Sequence, residues 1–265
     1  MLNAKPSAVA DVHATAIIDP GAELGADTVI GPFCVIGPGV TIGDGTHLGA
    51  HVVIERDTVL GERCRVHAGA VLGGDPQDLK YGGEASQLVV GDRTVIREGV
   101  TLNRGTAARG RTEIGSDCLL MAYAHVAHDC EIGDHVVIAN GVAMGGHVRI
   151  DEWVTVGGLT AIHQFVRIGA HAFIGGSAAV QKDVVPYVKA ASNPLKLYGL
   201  NVVGLERRGF SGEVRSELRR AYRLLFQSKL NVSHAVEQAR RELTITPEVE
   251  RFLGFIEGSE RGITV

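Results

Sequence analysis

The stretch Ala124-His125-Val126-Ala127-His128-Asp129-Cys130 sets two imidazoles three residues apart, beside a carboxylate and a thiol, in a segment otherwise poor in polar side chains. An imidazole near neutral pH accepts protons or ligates metals, and a neighbouring carboxylate can orient it. With His147 and His163 added, three chemistries are open: a zinc site built on three imidazoles, general-base catalysis, or anion binding. Spacing alone does not choose among them. Adjacent strand residues point to opposite faces, so contact between His128 and Asp129 requires a turn.

The elements that place these residues follow from a repeat. Cutting the chain at residue numbers divisible by six gives Val12, Ile18, Leu24, Ile30, Ile36 and Ile42, and the aliphatic series runs on to Leu72. It resumes at Val90, skips Ala108, and continues from Ile114 to Val180. This period fits neither a helix nor simple alternation. It fits short strands joined by sharp turns, with Gly25, Gly31, Gly37, Gly43 and Gly49 where a turn needs small or conformationally permissive residues. Two residues before each aliphatic comes a small residue, and all four cysteines (Cys34, Cys64, Cys118, Cys130) fall in this slot. They read as buried core groups rather than ligands or nucleophiles.

Three such strands close a triangular coil of eighteen residues, and stacked coils form a prism of parallel sheets spaced by about 4.8 Å. Dividing residue numbers by eighteen brings His125, His128, His147 and His163 to one edge, together with Gly146 and Gln164. The other prism histidines fall elsewhere. Two polar interruptions, near 73–88 and 107–113, read as excursions from corners and as candidate binding loops. Beyond about Val185 the period ends. Val214, Leu218, Ala221, Tyr222, Leu225 and Phe226 then form one helical face behind a Ser211 cap, with further helices expected near Ser233 and from Pro247 to about Gly258. These helices would cover an open end of the prism.

Composition agrees with a repetitive aliphatic interior: 265 residues, 45% hydrophobic, 5% aromatic and 35 glycines. The net charge of -4 gives no case for nucleic acid binding. No apolar run approaches the roughly 20 residues of a membrane span. The N-terminal stretch has no secretory h-region, so a cytoplasmic protein is expected.

The hexapeptide period over about residues 12–185 resembles that of the hexapeptide-repeat acyltransferases. That resemblance implies a left-handed coil, against the usual hand of strand crossovers. "GGDPQDLKYGGE", "AHVAHDC", "TAIHQF" and "GLNVVGLERRGF", in this order, are similar to the UDP-N-acetylglucosamine O-acyltransferases of lipid A synthesis over nearly the full chain. The implied fold is all-β, a left-handed parallel β-helix over residues 1–190, followed by a small α-helical domain over 191–265. The implied reaction moves an (R)-3-hydroxyacyl group from acyl carrier protein to the 3-hydroxyl of UDP-N-acetylglucosamine, with no metal and no cofactor.

Residue by residue, the resemblance makes His128 the general base, Asp129 its support and the Gly146 amide the oxyanion donor. Gln77, Asp78 and Lys80 in the first loop would hold the sugar and the acyl hydroxyl, with His125, His147, His163 and Gln164. Asn201, Arg207 and Arg208 would contact the nucleotide, Gly176 would floor the acyl groove, and Phe173 would help to narrow it. Relatives are homotrimers with sites between neighbouring prisms. Six Arg against three Glu between Gly204 and Arg223 offer a surface for the acidic carrier protein.

Overall fold

The structure is a computed structural model and describes residues 9–228 and 230–265. Strands, most of them two residues long, follow one another around three parallel sheets so that, up to Ala179–Val180, each sheet takes every third strand. The eleven-stranded sheet runs from Asp11–Val12 to Lys196–Leu200, the nine-stranded sheet from Ile17–Ile18 to Ala179–Val180, and the eight-stranded sheet from Glu23–Leu24 to Arg167–Ile168. Register is regular through the parallel strands except for a shift after Leu72, at the first loop: Val126 pairs with Leu102 on one side and Met144 on the other, so each aliphatic stacks on its counterpart one coil away. From Ile30 to Val180 these side chains are buried, whereas Val12, in the first described layer, is exposed.

From Asp27 to Ser177 each corner without an insertion contains one residue with positive φ, at a fixed place three residues after the inward aliphatic, and most such residues are not glycine. Asp129 (φ 59°), His147 (φ 60°) and Phe165 (φ 64°) all occupy it. The glycines that follow the aliphatics have a different reason to be there. A Cβ at Gly37 would stand 1.8 Å from the Glu55 carbonyl oxygen, and one at Gly43 2.6 Å from the Gly61 carbonyl carbon. They are needed for close approach between coils, not for backbone freedom.

The small slot has a polar function as well as a steric one. Cys34, Cys64, Cys118 and Cys130 each donate a thiol hydrogen bond of 3.0 to 3.3 Å to a glycine carbonyl in the next coil. Thr46, Thr94 and Thr160 do the same with their hydroxyls. Burial pushes the Cys118 thiol up to about 11 and Cys130 up to about 12, so neither is a thiolate at neutral pH.

Both interruptions leave the corner between the nine- and eight-stranded sheets. The first is the loop 75–86, between Val71–Gly74 and Gln87–Val90. The second is 104–110 rather than 107–113, because Arg111, Thr112 and Glu113 already pair as a strand with Gln87, Leu88 and Val89. The first adds twelve residues to its side and the second six. Together they lengthen the chain by one coil, which is why the eighteen-residue phase returns after Ile114.

The last parallel strand, Val188–Ala191, pairs antiparallel with Lys196–Leu200. Four helices follow: α1 (Val202–Arg207), α2 (Gly212–Phe226), α3 (Val232–Glu242) and α4 (Pro247–Glu257). Ser211, Asn231 and Thr246 cap α2, α3 and α4 as oxygen acceptors. Helix α1, capped by Asn201, is an element the sequence reading missed. The helices pack on the C-terminal coils and continue the same core through Leu205, Leu218 and Phe252. Arg251 of α4 ties them down by donating to Glu152 and Asp151 of the prism.

Candidate active site

Asp129 is in the left-handed conformation at its corner, and this turn brings its carboxylate back to its neighbour. His128 Nδ1 lies 2.8 Å from Asp129 Oδ2. The carboxylate is buried and accepts two further bonds, from the Thr106 amide to Oδ1 (2.9 Å) and the Thr106 hydroxyl to Oδ2 (2.7 Å). The Asp129 amide donates to Thr112 Oγ1 at 2.8 Å. Burial works to raise Asp129, but the bonds from His128 and Thr106 outweigh it and hold the carboxyl below its ordinary range.

One coil further on, Gly146 lies directly under the His128 ring. A Cβ there would stand 2.5 Å from His128 Cε1 and 2.6 Å from Nε2. Among the described residues no acceptor takes the Gly146 amide. His147 meets His128 edge-on at 5.2 Å, stacks on Phe165 at 4.5 Å, and places Nε2 3.6 Å from Asp129 Oδ2. Burial lowers its pKa, against the charge of Asp129. A cavity of about 780 Å³ opens beside this corner, lined among others by Asp129, His147, Phe165, Arg167 and Arg261.

The remaining residues expected here divide into three groups. His125 is on the nine-stranded face rather than at the corner, bonded through Nδ1 to Thr101 Oγ1 at 2.7 Å, and burial lowers its pKa. His163 and exposed Gln164 share the corner, His163 Nδ1 being 2.8 Å from an Arg261 guanidinium nitrogen. Gln77, Asp78 and Lys80 project from the first loop, where the Lys80 amide bonds Asp78 Oδ1 at 3.0 Å. The charge of Asp78 reaches His147.

Asn201, Arg207 and Arg208 are not at the histidine corner. They line a separate cavity of about 550 Å³ with Trp153, Phe173 and Lys189, at the junction of the eight- and eleven-stranded sheets. Arg208 lies over the Trp153 ring at 5.1 Å. Asn201 is held by its own bonds, donating to the His171 carbonyl and accepting from the Gly204 amide. Phe173 lines this cavity from the strand that leads to the Gly176 corner. Gly176 is at the corner between the eleven- and nine-stranded sheets, without positive φ.

Beneath this cavity His171 is 9% exposed, its Nδ1 unpartnered and its ring stacked between Trp153 and Tyr187. Burial, helped by the Arg208 charge, pushes it from 6.5 down to about 4. Between these values the unfolded chain binds a proton that the fold refuses. The stabilisation is therefore complete above about pH 6.5 and is lost as pH falls toward about 4, on the order of 3 kcal/mol in all. Melting curves across this range should show the decline, and His171→Phe should flatten it; an unchanged slope in the variant would assign the loss to another group.

Sequence reasoning missed Thr106 and Thr112, the partners of Asp129, and Phe165 and Arg261. A signal was available for the first. A buried carboxylate needs donors beyond one histidine, and the loop at the same corner supplies them. Ligand atoms of His128, Asp129 and His147 lie within 4.8 Å of one another, a spacing a cation could use. The Asp129 oxygens and His128 Nδ1 are already committed to one another and to Thr106, which fits proton transfer better.

Residues 183–264 match the family profile described as UDP N-acetylglucosamine O-acyltransferase, domain 2, and residues 11–74 and 111–146 match the bacterial transferase hexapeptide profile. An acyl-(acyl-carrier-protein)–UDP-N-acetylglucosamine O-acyltransferase of Chlorobaculum parvum is 57% identical, with 96% of this chain and 97% of that protein covered. Among solved structures, LpxA from Acinetobacter baumannii is 44% identical with a TM-score of 0.93, covering 96% of this chain and 99% of that one. LpxA from Bacteroides fragilis, described as a UDP-N-acetylglucosamine acyltransferase, is 40% identical with a TM-score of 0.94, covering 96% and 100%. The fold is accordingly the expected left-handed parallel β-helix with a small helical domain. At this identity and coverage, the chain belongs to the UDP-N-acetylglucosamine O-acyltransferase family.

Proposed function

We propose that this chain moves an (R)-3-hydroxyacyl group from acyl carrier protein to the 3-hydroxyl of UDP-N-acetylglucosamine, the first step of lipid A synthesis, with His128 as general base. The observation that carries the reading is the bond between His128 Nδ1 and a buried, charged Asp129. It fixes the tautomer that leaves Nε2 free to accept a proton. Nε2 takes the proton of the sugar hydroxyl as its oxygen attacks the thioester carbonyl. The Gly146 amide, under the same ring, donates to the developing oxyanion. The intermediate collapses with loss of the carrier thiolate, to which His128 returns the proton.

The separation of the two cavities supports a homotrimer. One chain alone keeps Asn201, Arg207 and Arg208 a whole sheet away from His128, so a sugar nucleotide reaching both would lie between neighbouring prisms. Arg207 and Arg208 suit its phosphates; Gln77, Asp78, Lys80, His125, His147, His163 and Gln164 would hold sugar and acyl hydroxyl. The Arg-rich segment between Gly204 and Arg223 would receive the carrier protein. Four reduced, buried cysteines fit a cytoplasmic setting, and among the described residues no helix is long and apolar enough to cross a membrane.

The test is incubation with UDP-N-acetylglucosamine and a panel of 3-hydroxyacyl carrier proteins, read by mass spectrometry. One acylated sugar nucleotide with free carrier is expected; no product with any donor would overturn the reading. The panel also tests Gly176, which we place at the far end of the acyl groove, across the nine-stranded face from His128. A Cβ there would meet the Gly158 carbonyl oxygen at 3.1 Å, a tight contact, and the backbone needs no glycine. Gly176→Met should shift the preferred donor several carbons shorter, since each buried methylene is worth about 0.8 kcal/mol. An unchanged kcat/KM ranking over chain length would remove Gly176 from the groove.

A further inference from the structure

The loop 104–110 is built to hold one side chain. Thr106 is buried, and its amide and hydroxyl each donate to a different oxygen of Asp129. Its Oγ1 lone pair is occupied by the Ala108 amide at 3.2 Å, which leaves the hydroxyl proton for the carboxylate. The Gly110 amide closes the loop on the Thr106 carbonyl at 2.7 Å.

From the other side the loop is braced on the first interruption. Arg104, itself buried, donates to the Gly73 carbonyl, to Asp75 and to the Tyr81 hydroxyl, and that hydroxyl donates to the Glu84 carbonyl. The Glu84 carboxylate accepts from the Ala107 amide, next to Thr106. One continuous network thus runs from the loop bearing Asp78 and Lys80 to the carboxylate behind His128. Among the described residues, no corner without an insertion has such a brace.

We infer that Thr106 is a positioning residue, which orients Asp129 and keeps it charged so that the Asp129–His128 pair presents Nε2 to the acceptor hydroxyl. It touches no substrate; it acts through Asp129. The inference rests on the general-base reading above. The titratable groups that face Asp129 are His128 and His147 from the two stacked corners, while Arg109 of the same loop acts on Cys130 and His147, and Asp78 of the first loop on His147.

Thr106→Val keeps the amide donor and the branched shape but removes the hydroxyl. It should lower kcat roughly tenfold to a hundredfold, the worth of a charge-assisted hydrogen bond, with the KM for sugar nucleotide nearly unchanged. An Asp129 deprived of that donor is more basic and holds an imidazolium more firmly, so the acid limb of the pH–rate profile should move to higher pH. Thr106→Ser should restore both. In an Asp129→Asn background, Thr106→Val should cost little more, since the two changes act on one unit.

A Thr106→Val enzyme with wild-type kcat and acid limb, or with a loss fully additive to that of Asp129→Asn, would overturn the inference. If the valine variant folds poorly, Thr106→Ala removes the same hydroxyl without added bulk and gives the same readout. His128→Ala, run alongside, separates the two ideas. Activity surviving there defeats the base assignment, whereas its loss beside an indifferent Thr106→Val defeats only the positioning role.

Discussion

Replacing His128 by alanine is expected to lower turnover by roughly 10²- to 10⁴-fold, the range that removal of a general base produces. The chemistry has no substitute at that point. His147 Nε2 is turned toward Asp129 at 3.6 Å, and His125 is on the sheet face, bonded to Thr101. The fold should tolerate the change, because the inward groups of this corner are Val126 and Cys130, which the variant keeps. Turnover with a 3-hydroxyacyl carrier protein, beside circular dichroism and sedimentation, checks both halves. Retention of more than about a tenth of activity would show that another group takes the proton.

Gly146→Ala should be nearly as damaging, by a wholly different route. The variant keeps the amide assigned to the oxyanion, and the wild-type glycine is not among the positive-φ residues, so its backbone accepts a side chain. The new methyl would nevertheless stand within 2.6 Å of both Cε1 and Nε2 of His128, so the ring must leave its place. Displacing a catalytic group by about 1 Å costs on the order of 10²-fold. The loss should appear in kcat, and it should shrink sharply in a His128→Ala background, where there is no ring to move. A fully active Gly146→Ala would mean that His128 works from a different rotamer.

The repeat made the prism legible in detail. A six-residue aliphatic period leaves no other way to bury Ile30 through Val180, and division by eighteen found the corner of His128, Gly146 and His147 before any coordinate. What the sequence concealed was the interior of the exceptions. The second loop begins at Arg104, not near residue 107, because Thr101–Asn103 and Arg111–Ile114 pair like any other strands and nothing in their composition marks the break. The turn glycines misled for a related reason: Gly37 and Gly43 look like sites of backbone freedom, yet the unusual torsions fall on Asp57, Arg63 and Asp129. Close approach to a neighbouring coil is a tertiary property that local chemistry does not announce. The nucleotide group of Asn201, Arg207 and Arg208 was named from resemblance alone, and its distance from His128 could be learned only from the fold.

The thiol and hydroxyl contacts that run from seven of the small slots to a glycine carbonyl of the next coil, with the parallel pairing of every layer, make the prism a nearly one-dimensional stack, in which each layer is secured chiefly by its neighbours. Opening such a stack is easiest at a free end. Among the described residues the first layer is the looser end: Val12 is exposed, and Ile18 and Leu24 are only half-buried. The opposite end is held by four helices and the Arg251 ion pairs. Melting therefore has a direction, from the N-terminal layers inward, and His128 lies several layers behind that front on the anchored side. The His128–Asp129 pair and the onset of unfolding are separated along one axis, so the chain can breathe at its first described layers while that pair stays assembled.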